Sequence, residues 1–187
     1  MYYLFHMASP LGPLTLGSDG EALTGLWYDG QRYDRAGIKG DVEDLGNTSS
    51  DLFQEAERWL RTYFSGEIPS FMPAIHLSGT PFQKAVWTLL QAVPYGKTAT
   101  YGEIAEALEH CHVSEGDCTR AVGNAISRNP ISIIIPCHRI IASTGALTGY
   151  AGGIARKKAL LAFEELNRQK DMGDASTPFP IMTSSGF

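Results

Sequence analysis

No stretch of this chain approaches the roughly 20 apolar residues that cross a bilayer. Its start, MYYLFHMASPLG, lacks the basic residues and the long apolar core of a secretory signal. Cysteine is scarce too: Cys111, Cys118 and Cys137 are odd in number and lack the even spacing of a secreted disulfide framework. We therefore expect a soluble cytoplasmic protein, away from any membrane, that keeps at least one free thiol.

Basic charge is also in short supply, because the formal net charge is −5 at pH 7. The charge is uneven: residues 1–80 hold five Lys/Arg against eleven Asp/Glu, whereas residues 81–187 hold ten against nine. The second part is therefore the better candidate for contact with an anionic partner. For the first part, an acidic surface that keeps the protein in solution is an equally good explanation.

The first third of the chain has the pattern of a small antiparallel sheet followed by a helix. Three turn sequences, PLG, SDG and DG, separate short β-rich runs. Residues 31–49 show no period and are predicted to form a loop. A helix is predicted between Ser50 as N-cap and Gly66 as stop. Its apolar residues share one helical face: Leu52, Phe53, Ala56, Trp59, Leu60, Tyr63 and Phe64.

The segment PSFMPAIHLSG, residues 69–79, carries two prolines and no period, so we place an inter-domain linker there. Beyond it, Thr80 and Gln83 form a capping box at the start of a predicted helix. Thr100 and Glu103 repeat the pattern ahead of a second helix. The chain therefore becomes mainly helical after the linker.

The second of these helices, TYGEIAEALEH, and the short helix CTRAVGNAIS have the form of a helix-turn-helix that carries Arg120. Most helix pairs of this form bind nothing, so the pattern needs support from elsewhere. A last helix is predicted over residues 154–166. The fold class is α/β, of the α+β kind: a small antiparallel sheet with a helix (1–68), the linker, a mainly helical domain (80–166) and a disordered tail (167–187).

Reactive side chains lie in IPCHRIIASTG, after an apolar run over residues 131–135 that predicts a buried strand. A cysteine attacks as thiolate, so it needs a base or a positive charge nearby. His138 and Arg139 can supply both to Cys137, and Glu164 is a candidate acceptor for the second imidazole nitrogen. The alternative is that Cys137 fills the core and His138 is a satisfied buried histidine. The glycine-rich loop GALTGYAGG favours a pocket that closes over a flat ligand.

Four segments in order closely resemble the O6-alkylguanine-DNA alkyltransferases of the free-standing bacterial type: TPFQKAVW, PYGKTATYGEIA, TRAVGNAISRNP and NPISIIIPCHRIIASTGALTGYAGGIARKKALLAFE. The resemblance covers about residues 80–165, and the N-terminal half is compatible with that family's variable sheet-and-helix domain. It implies direct DNA repair, in which one alkyl group passes from O6-alkylguanine, or from O4-alkylthymine, to Cys137 and the protein is consumed. It also implies a monomer without a cofactor that acts on double-stranded DNA.

The resemblance also implies roles for individual residues. Cys137 accepts the alkyl group, His138 deprotonates it through a water, and Glu164 orients His138. Asn129 links the helix-turn-helix to the active-site segment by hydrogen bonds. Tyr101 contacts the flipped base and its phosphate, and donates a proton to guanine N3.

The DNA-facing residues follow from the same resemblance. The recognition helix lies in the minor groove, where Ala121 and Gly123 let the backbone approach without reading sequence. The target base leaves the stack, and Arg120 is inserted in its place. Three further residues are expected to line the base pocket: Ile140 through its carbonyl, Tyr150 and Ala151.

Two features depart from the family pattern. The connection EHCHVSEGDC is longer and more acidic than the family's compact turn, and Glu115 and Asp117 should weaken contact with phosphates. The N-terminal half has no cysteine, so the structural zinc of some relatives is not expected, and we assign no metal site. Four side chains of the connection could form a metal cluster, although their spacing matches no standard zinc pattern: His110, Cys111, His112 and Cys118.

Two other functions stay open on the sequence. Alkyltransferase-like proteins bind alkylated DNA without repairing it, but they usually carry tryptophan at the position of Cys137. A cysteine hydrolase that used Cys137 and His138 would turn over repeatedly. It would also need an oxyanion hole, which the sequence does not locate.

Overall fold

The computed structural model describes residues 1–48, 50–108 and 115–171 of the chain. Its N-terminal half begins with three strands joined by short turns: β1 (Tyr2–Met7), β2 (Leu14–Ser18) and β3 (Leu23–Tyr28). β2 pairs antiparallel with β1 on one side and with β3 on the other. The predicted antiparallel meander is therefore confirmed.

The sheet has a fourth strand where the sequence predicted a loop. β4 (Val42–Asp44) pairs in parallel with β1, which gives the strand order β3-β2-β1-β4. All three residues of β4 are exposed, so no alternation of buried and exposed side chains marks them as a strand. The loop prediction was wrong over these residues, and the sheet is mixed.

One helix, α1 (Asp51–Phe64), packs against this sheet, and the rings of Phe5 and Phe53 stack with their centroids 5.5 Å apart. Ser50 is the N-cap as predicted, although its side chain makes no capping hydrogen bond. Gly66 follows the helix with φ of 92°, a conformation that favours glycine. The apolar face is the predicted one and buries Phe53, Ala56, Trp59, Leu60 and Tyr63.

The C-terminal half is mainly helical. α2 (Pro81–Gln91) and α3 (Tyr101–Glu106) both begin at their predicted capping boxes, with both hydrogen bonds of each box present. α3 packs against α4 (Glu115–Ser127), which begins three residues before the segment CTRAVGNAIS. The order and packing of these two helices agree with a helix-turn-helix, whose connection, residues 109–114, lies outside the described residues.

The last helix, α5 (Ile154–Asp171), runs five residues beyond the predicted end and into the predicted tail. Tertiary contacts hold this extension, because Asn167 is buried and donates a hydrogen bond to the hydroxyl of Tyr95 (3.5 Å). The remaining tail, residues 172–187, lies outside the described residues. Within the described ranges, no helix combines the length and apolar character needed to span a membrane.

The strand predicted over residues 131–135 is wrong. Ile131 makes one isolated bridge with Leu26, and the chain then turns at Ile133, whose φ of 69° is unusual for a β-branched residue. All five residues are buried, so the apolar run predicted burial correctly but not conformation. The turn leads into a buried 3₁₀ helix (Cys137–Arg139) and then into β6 (Ile140–Ile141), which pairs in parallel with β5 (Ala99–Thr100).

Candidate active site

The free thiol of Cys137 lies inside the protein, with 3% of the residue exposed. Burial raises the pKa of Cys137, while a hydrogen bond from Asn129 and the positive charge of Lys157 oppose that rise. The thiol is therefore protonated in the resting protein at neutral pH. It becomes a nucleophile only if a base removes its proton.

His138 is the neighbouring base, and one of its two nitrogens is fixed. Nε2 of His138 lies 2.7 Å from Oε1 of Glu164, and both side chains are fully buried. Burial lowers the pKa of His138, although the hydrogen bond and charge of Glu164 oppose this. The imidazole is therefore neutral, with its proton on Nε2 directed at Glu164. Nδ1, which is buried without a protein hydrogen-bond partner, is then the basic atom.

Glu164 is surrounded by donors. Arg139 binds it through two nitrogens, Nε to Oε2 (2.9 Å) and Nη2 to Oε1 (3.0 Å). The hydroxyl of Tyr63 donates to Oε1 (2.8 Å), and the backbone N–H of Gly96 donates to Oε2 (3.0 Å). Burial alone would raise the pKa of Glu164, but His138 and Arg139 hold it well below its usual range. The sequence predicted that Arg139 supplies positive charge to the thiol. In the structure its guanidinium binds the carboxylate of Glu164 instead.

Asn129 connects the end of α4 to the thiol. Its Nδ2 group donates to the carbonyl of Ile135 (2.8 Å) and to Sγ of Cys137 (3.1 Å). Its Oδ1 atom accepts from the backbone N–H of Ile131 (3.0 Å). The side-chain amide of Asn129 thus closes the turn that precedes the 3₁₀ helix.

Tyr101, the first residue of α3, meets the glycine-rich loop. Its hydroxyl donates to the carbonyl of Thr148 (3.0 Å), and burial raises its pKa, so the hydroxyl keeps its proton. Gly149 adopts φ of 60°, and a Cβ there would stand 2.9 Å from the Tyr101 hydroxyl. Glycine at this position therefore lets the loop lie directly on the tyrosine.

Lys157 is a site residue that the sequence analysis missed. It is fully buried in α5, and its Nζ donates to the carbonyls of Ile140 and Thr148. Burial lowers the pKa of Lys157 to about 8, while a negative charge on Cys137 opposes this. In the run ARKK the residue resembles part of a solvated helix face, so composition carries no signal for its burial.

The predicted pocket residues lie around this centre. Tyr150 is buried, and its ring centroid lies 6.4 Å from that of His138 in an edge-on arrangement. The carbonyl of Ala151 accepts a hydrogen bond from the backbone N–H of Arg32 (3.1 Å). Ile140 is buried with its carbonyl bound to the lysine described above.

The predicted DNA-facing residues lie apart from the buried cluster, on α4. Arg120 is exposed, whereas Ala121 and Gly123 are partly buried. A Cβ at Gly123 would lie 3.9 Å from the ring of Tyr101, which is ordinary contact. The helix thus presents small side chains beside Tyr101.

Within residues 1–48, 50–108 and 115–171, no group of three or more His, Cys, Asp or Glu side chains is placed to hold a metal ion. Three of the four side chains of the conceivable cluster, His110, Cys111 and His112, lie outside those ranges.

Known protein families match both halves of the chain. The DNA-binding domain of the 6-O-methylguanine DNA methyltransferases matches residues 81–166, and the ribonuclease-like domain of the same family matches residues 1–73. The methylated-DNA–protein-cysteine methyltransferase of Methanosarcina acetivorans is 44% identical over 88% of this chain and 98% of its own length. That of Mycobacterium leprae is 44% identical over 88% of this chain and 93% of its own.

Solved structures agree with these sequence matches. The crystal structure of Mycobacterium tuberculosis O6-methylguanine methyltransferase is 41% identical, with a TM-score of 0.74, and the match covers 89% of this chain and 94% of that one. The same organism's protein in complex with DNA is 40% identical, with a TM-score of 0.74, over 88% and 94% of the two chains. On both halves, and on fold as well as sequence, the chain belongs to the 6-O-methylguanine DNA methyltransferase family.

Proposed function

We propose that the protein repairs DNA directly, by irreversible transfer of an alkyl group from O6-alkylguanine to Cys137, once per chain. One observation carries the proposal: a buried thiol is followed in the chain by a buried imidazole whose Nε2 is fixed by Glu164 (2.7 Å). The names of the relatives, methylated-DNA–protein-cysteine methyltransferases, support it. A buried cysteine that only filled the core would need no such base.

Proton removal from the thiol is the first chemical step. A water passes the proton of Cys137 to Nδ1 of His138, while Nε2–H continues to donate to Glu164. The positive charge that develops on the imidazole faces a carboxylate already ionised by its donors, which favours proton uptake. The burial that raises the pKa of the thiol also leaves the thiolate poorly solvated, and therefore strongly nucleophilic.

Displacement follows at the alkyl carbon. The thiolate forms the new S–C bond as the bond from that carbon to guanine O6 breaks, and the electron pair passes into the guanine ring. Tyr101 supplies a proton to guanine N3, and its hydroxyl exchanges the carbonyl of Thr148 for the base to do so. The S–C bond of the thioether that forms is not broken again, so each chain reacts once.

DNA is held by the face of α4 that carries Arg120, Ala121 and Gly123. A base in duplex DNA must leave the stack to reach a thiol that is 3% exposed, which costs a few kcal/mol. Arg120 fills the gap that the base leaves, and the small side chains let α4 enter the minor groove without reading sequence. The Mycobacterium tuberculosis complex with DNA supports DNA as the partner. We place this reaction in a cytoplasmic monomer that uses no cofactor.

Mass spectrometry tests the proposal. The protein is incubated with a small excess of duplex that carries O6-methylguanine, beside Cys137→Ala and beside a duplex with O4-methylthymine. We expect one methyl group per wild-type chain, located on the Cys137 peptide and absent from the variant. Tight binding without a change in mass would instead identify an alkylated-DNA-binding protein. Substrate consumed beyond one equivalent would identify a catalyst that turns over, such as a hydrolase.

A further inference from the structure

The outer edge of β3, in the N-terminal sheet, is hydrogen-bonded to the segment that leads to the reactive thiol. The backbone N–H of Leu26 donates to the carbonyl of Pro130 (2.9 Å), and the N–H of Ser132 donates back to Leu26 (2.9 Å). Tyr28, the last residue of β3, belongs to the N-terminal half of the chain, yet its ring lies beside that of Tyr150: a Cβ at Gly152 would stand 2.9 Å from the first ring and 2.7 Å from the second. The ring centroid of Tyr150 in turn lies 6.4 Å from that of His138.

Several contacts of the backbone and of the ring fix Tyr28, which is fully buried. Its backbone N–H donates to Oε1 of Gln31 (3.0 Å), and the same atom accepts from the hydroxyl of Ser132 (3.3 Å). The guanidinium of Arg156 lies 4.5 Å from the ring centroid of Tyr28. A Cβ at Gly152 would stand 2.9 Å from the same ring, so the glycine-rich loop closes directly over it. The ring has little freedom to move.

The hydroxyl of Tyr28 is buried without a protein hydrogen-bond partner, and so are the Tyr150 hydroxyl and Nδ1 of His138. Ser132 lies close enough to lower the pKa of Tyr150, but not in hydrogen-bonding geometry. Burial raises the pKa of both tyrosines; the positive charge of Arg156 opposes this, and a negative charge on Cys137 adds to it, so both hydroxyls are within electrostatic reach of the thiolate. A buried polar atom without a partner costs about 1–3 kcal/mol. A water with two to four polar neighbours removes that cost.

We propose that Tyr28 is a positioning residue for alkyl transfer: its hydroxyl, with that of Tyr150, holds the water that carries the proton from Cys137 to Nδ1 of His138. The proposal rests on the proposed function. The water accepts the thiol proton as it releases one of its own to the imidazole, so it is regenerated as water. Negative charge remains on sulfur and positive charge on His138. The N-terminal sheet thereby supplies part of a reaction whose other groups come from the C-terminal half.

The test is the single-turnover rate of methyl transfer from O6-methylguanine duplex as a function of pH, for the wild type, Tyr28→Phe and the control Tyr3→Phe. Tyr3 lies in the same sheet and is partly buried. We expect Tyr28→Phe to react about tenfold more slowly at neutral pH, less than the hundredfold or more that general-base loss removes. The deficit should shrink at alkaline pH, where the thiol ionises without the relay. Tyr3→Phe should follow the wild-type profile.

A purely structural role for Tyr28 would slow transfer equally at every pH, and that result, or an unchanged rate, would overturn the proposal. If the wild type itself transfers no methyl group, the proposed function fails, which is a distinct outcome. If Tyr28→Phe does not fold, 3-fluorotyrosine at position 28 keeps the shape and makes the hydroxyl more acidic. The pH profile should then move with that acidity, and an unmoved profile would contradict the role of the hydroxyl.

Discussion

Two regions of the C-terminal half differ in how far their side chains are buried, and alkyl transfer and DNA contact need opposite degrees of burial. The active-site segment, residues 129–141, buries four polar side chains, and each has a hydrogen-bonded protein partner: Asn129, Ser132, His138 and Arg139. The face of α4 that we propose contacts DNA, called the recognition face and defined as Arg120, Ala121 and Gly123, is exposed or partly exposed. Alkyl transfer needs a dry site with fixed partners, whereas contact with DNA of any sequence needs an accessible, shallow surface.

This difference predicts how substitutions divide between stability and function. Apart from Nδ1 of His138, the polar atoms of these buried side chains are hydrogen-bonded to other protein groups, so removing one side chain leaves its partner buried and unpaired. On the recognition face, water can take the place of a side chain that is removed, so the cost of an unpaired buried group is avoided. Changes in the first region should therefore lower stability and activity together, and changes in the second should lower activity alone.

The largest effect is expected from Glu164→Gln, which leaves the buried guanidinium of Arg139 without its counter-charge. Loss of one partner of a buried ion pair costs about 3–5 kcal/mol of unfolding free energy. Urea unfolding measures it, with Glu165→Gln as the matched control, since Glu165 is a partly exposed neighbour whose hydrogen bonds go to Arg168 and Gln169 on the same helix. The control should unfold like the wild type; equal losses in both variants would contradict the division.

Glu164 also makes stability depend on pH. Its pKa in the folded protein lies below the ordinary value of 4.5, so its stabilising contribution is complete above that pH and is lost as the pH falls toward the folded value. The unfolding free energy of the wild type should therefore decline on acidification through this range. Glu164→Gln should show a flatter decline, measured by urea titrations at several pH values.

Asn129→Ala should have the next largest effect. It leaves the buried backbone N–H of Ile131 without its partner, at about 1–3 kcal/mol, and removes one of the two donors to the carbonyl of Ile135, which keeps the N–H of Cys137. Methyl transfer should slow as well, because the thiol loses its hydrogen bond. The control is Asn124→Ala, an exposed asparagine on α4. Normal stability for Asn129→Ala would mean that the turn before the thiol is held by its apolar residues instead.

On the recognition face, Arg120→Ala should change unfolding little and slow methyl transfer from duplex DNA roughly tenfold or more, because nothing then fills the gap that the flipped base leaves. Transfer from free O6-benzylguanine base, which needs no flipping, should be unaffected. Arg61→Ala, an exposed change on α1 in the other half, is the charge-matched control. Equal slowing with duplex and free base would mean that Arg120 acts in the alkyl-transfer step itself. That result would contradict the proposed difference between the two regions.

The smallest effect is expected from Gly123→Ala, and its two readouts should move in opposite directions. The added Cβ would lie 3.9 Å from the Tyr101 ring, so it fits, and alanine within a helix is more stable than glycine by about 0.5–1 kcal/mol. Thermal unfolding should therefore shift upward. Affinity for duplex DNA should fall a few-fold, since α4 stands further from the groove. Unchanged affinity would mean that close backbone approach is not needed.

Several helices and the family of this protein could be predicted from the sequence because they depend on local patterns. The capping boxes at Thr80 and Thr100 involve residues three positions apart, and both helices begin where those pairs predict. The apolar face of α1 repeats at the helical period, which predicted its buried residues. The family resemblance rested on ordered motifs around Cys137, and both halves match that family. Each of these features is contained within a short stretch of chain.

The tertiary structure alone decided the rest. Glu164 takes one donor from Tyr63, 101 residues away, and another from Gly96, 68 residues away. Lys157 is buried in a helix whose composition suggests exposure. The apolar run over residues 131–135 has the composition of a strand, but it makes a single bridge to β3, at Leu26, and then turns at Ile133. Hydrogen bonds between distant segments have no period and no fixed spacing, so they become visible only once the two halves are packed together.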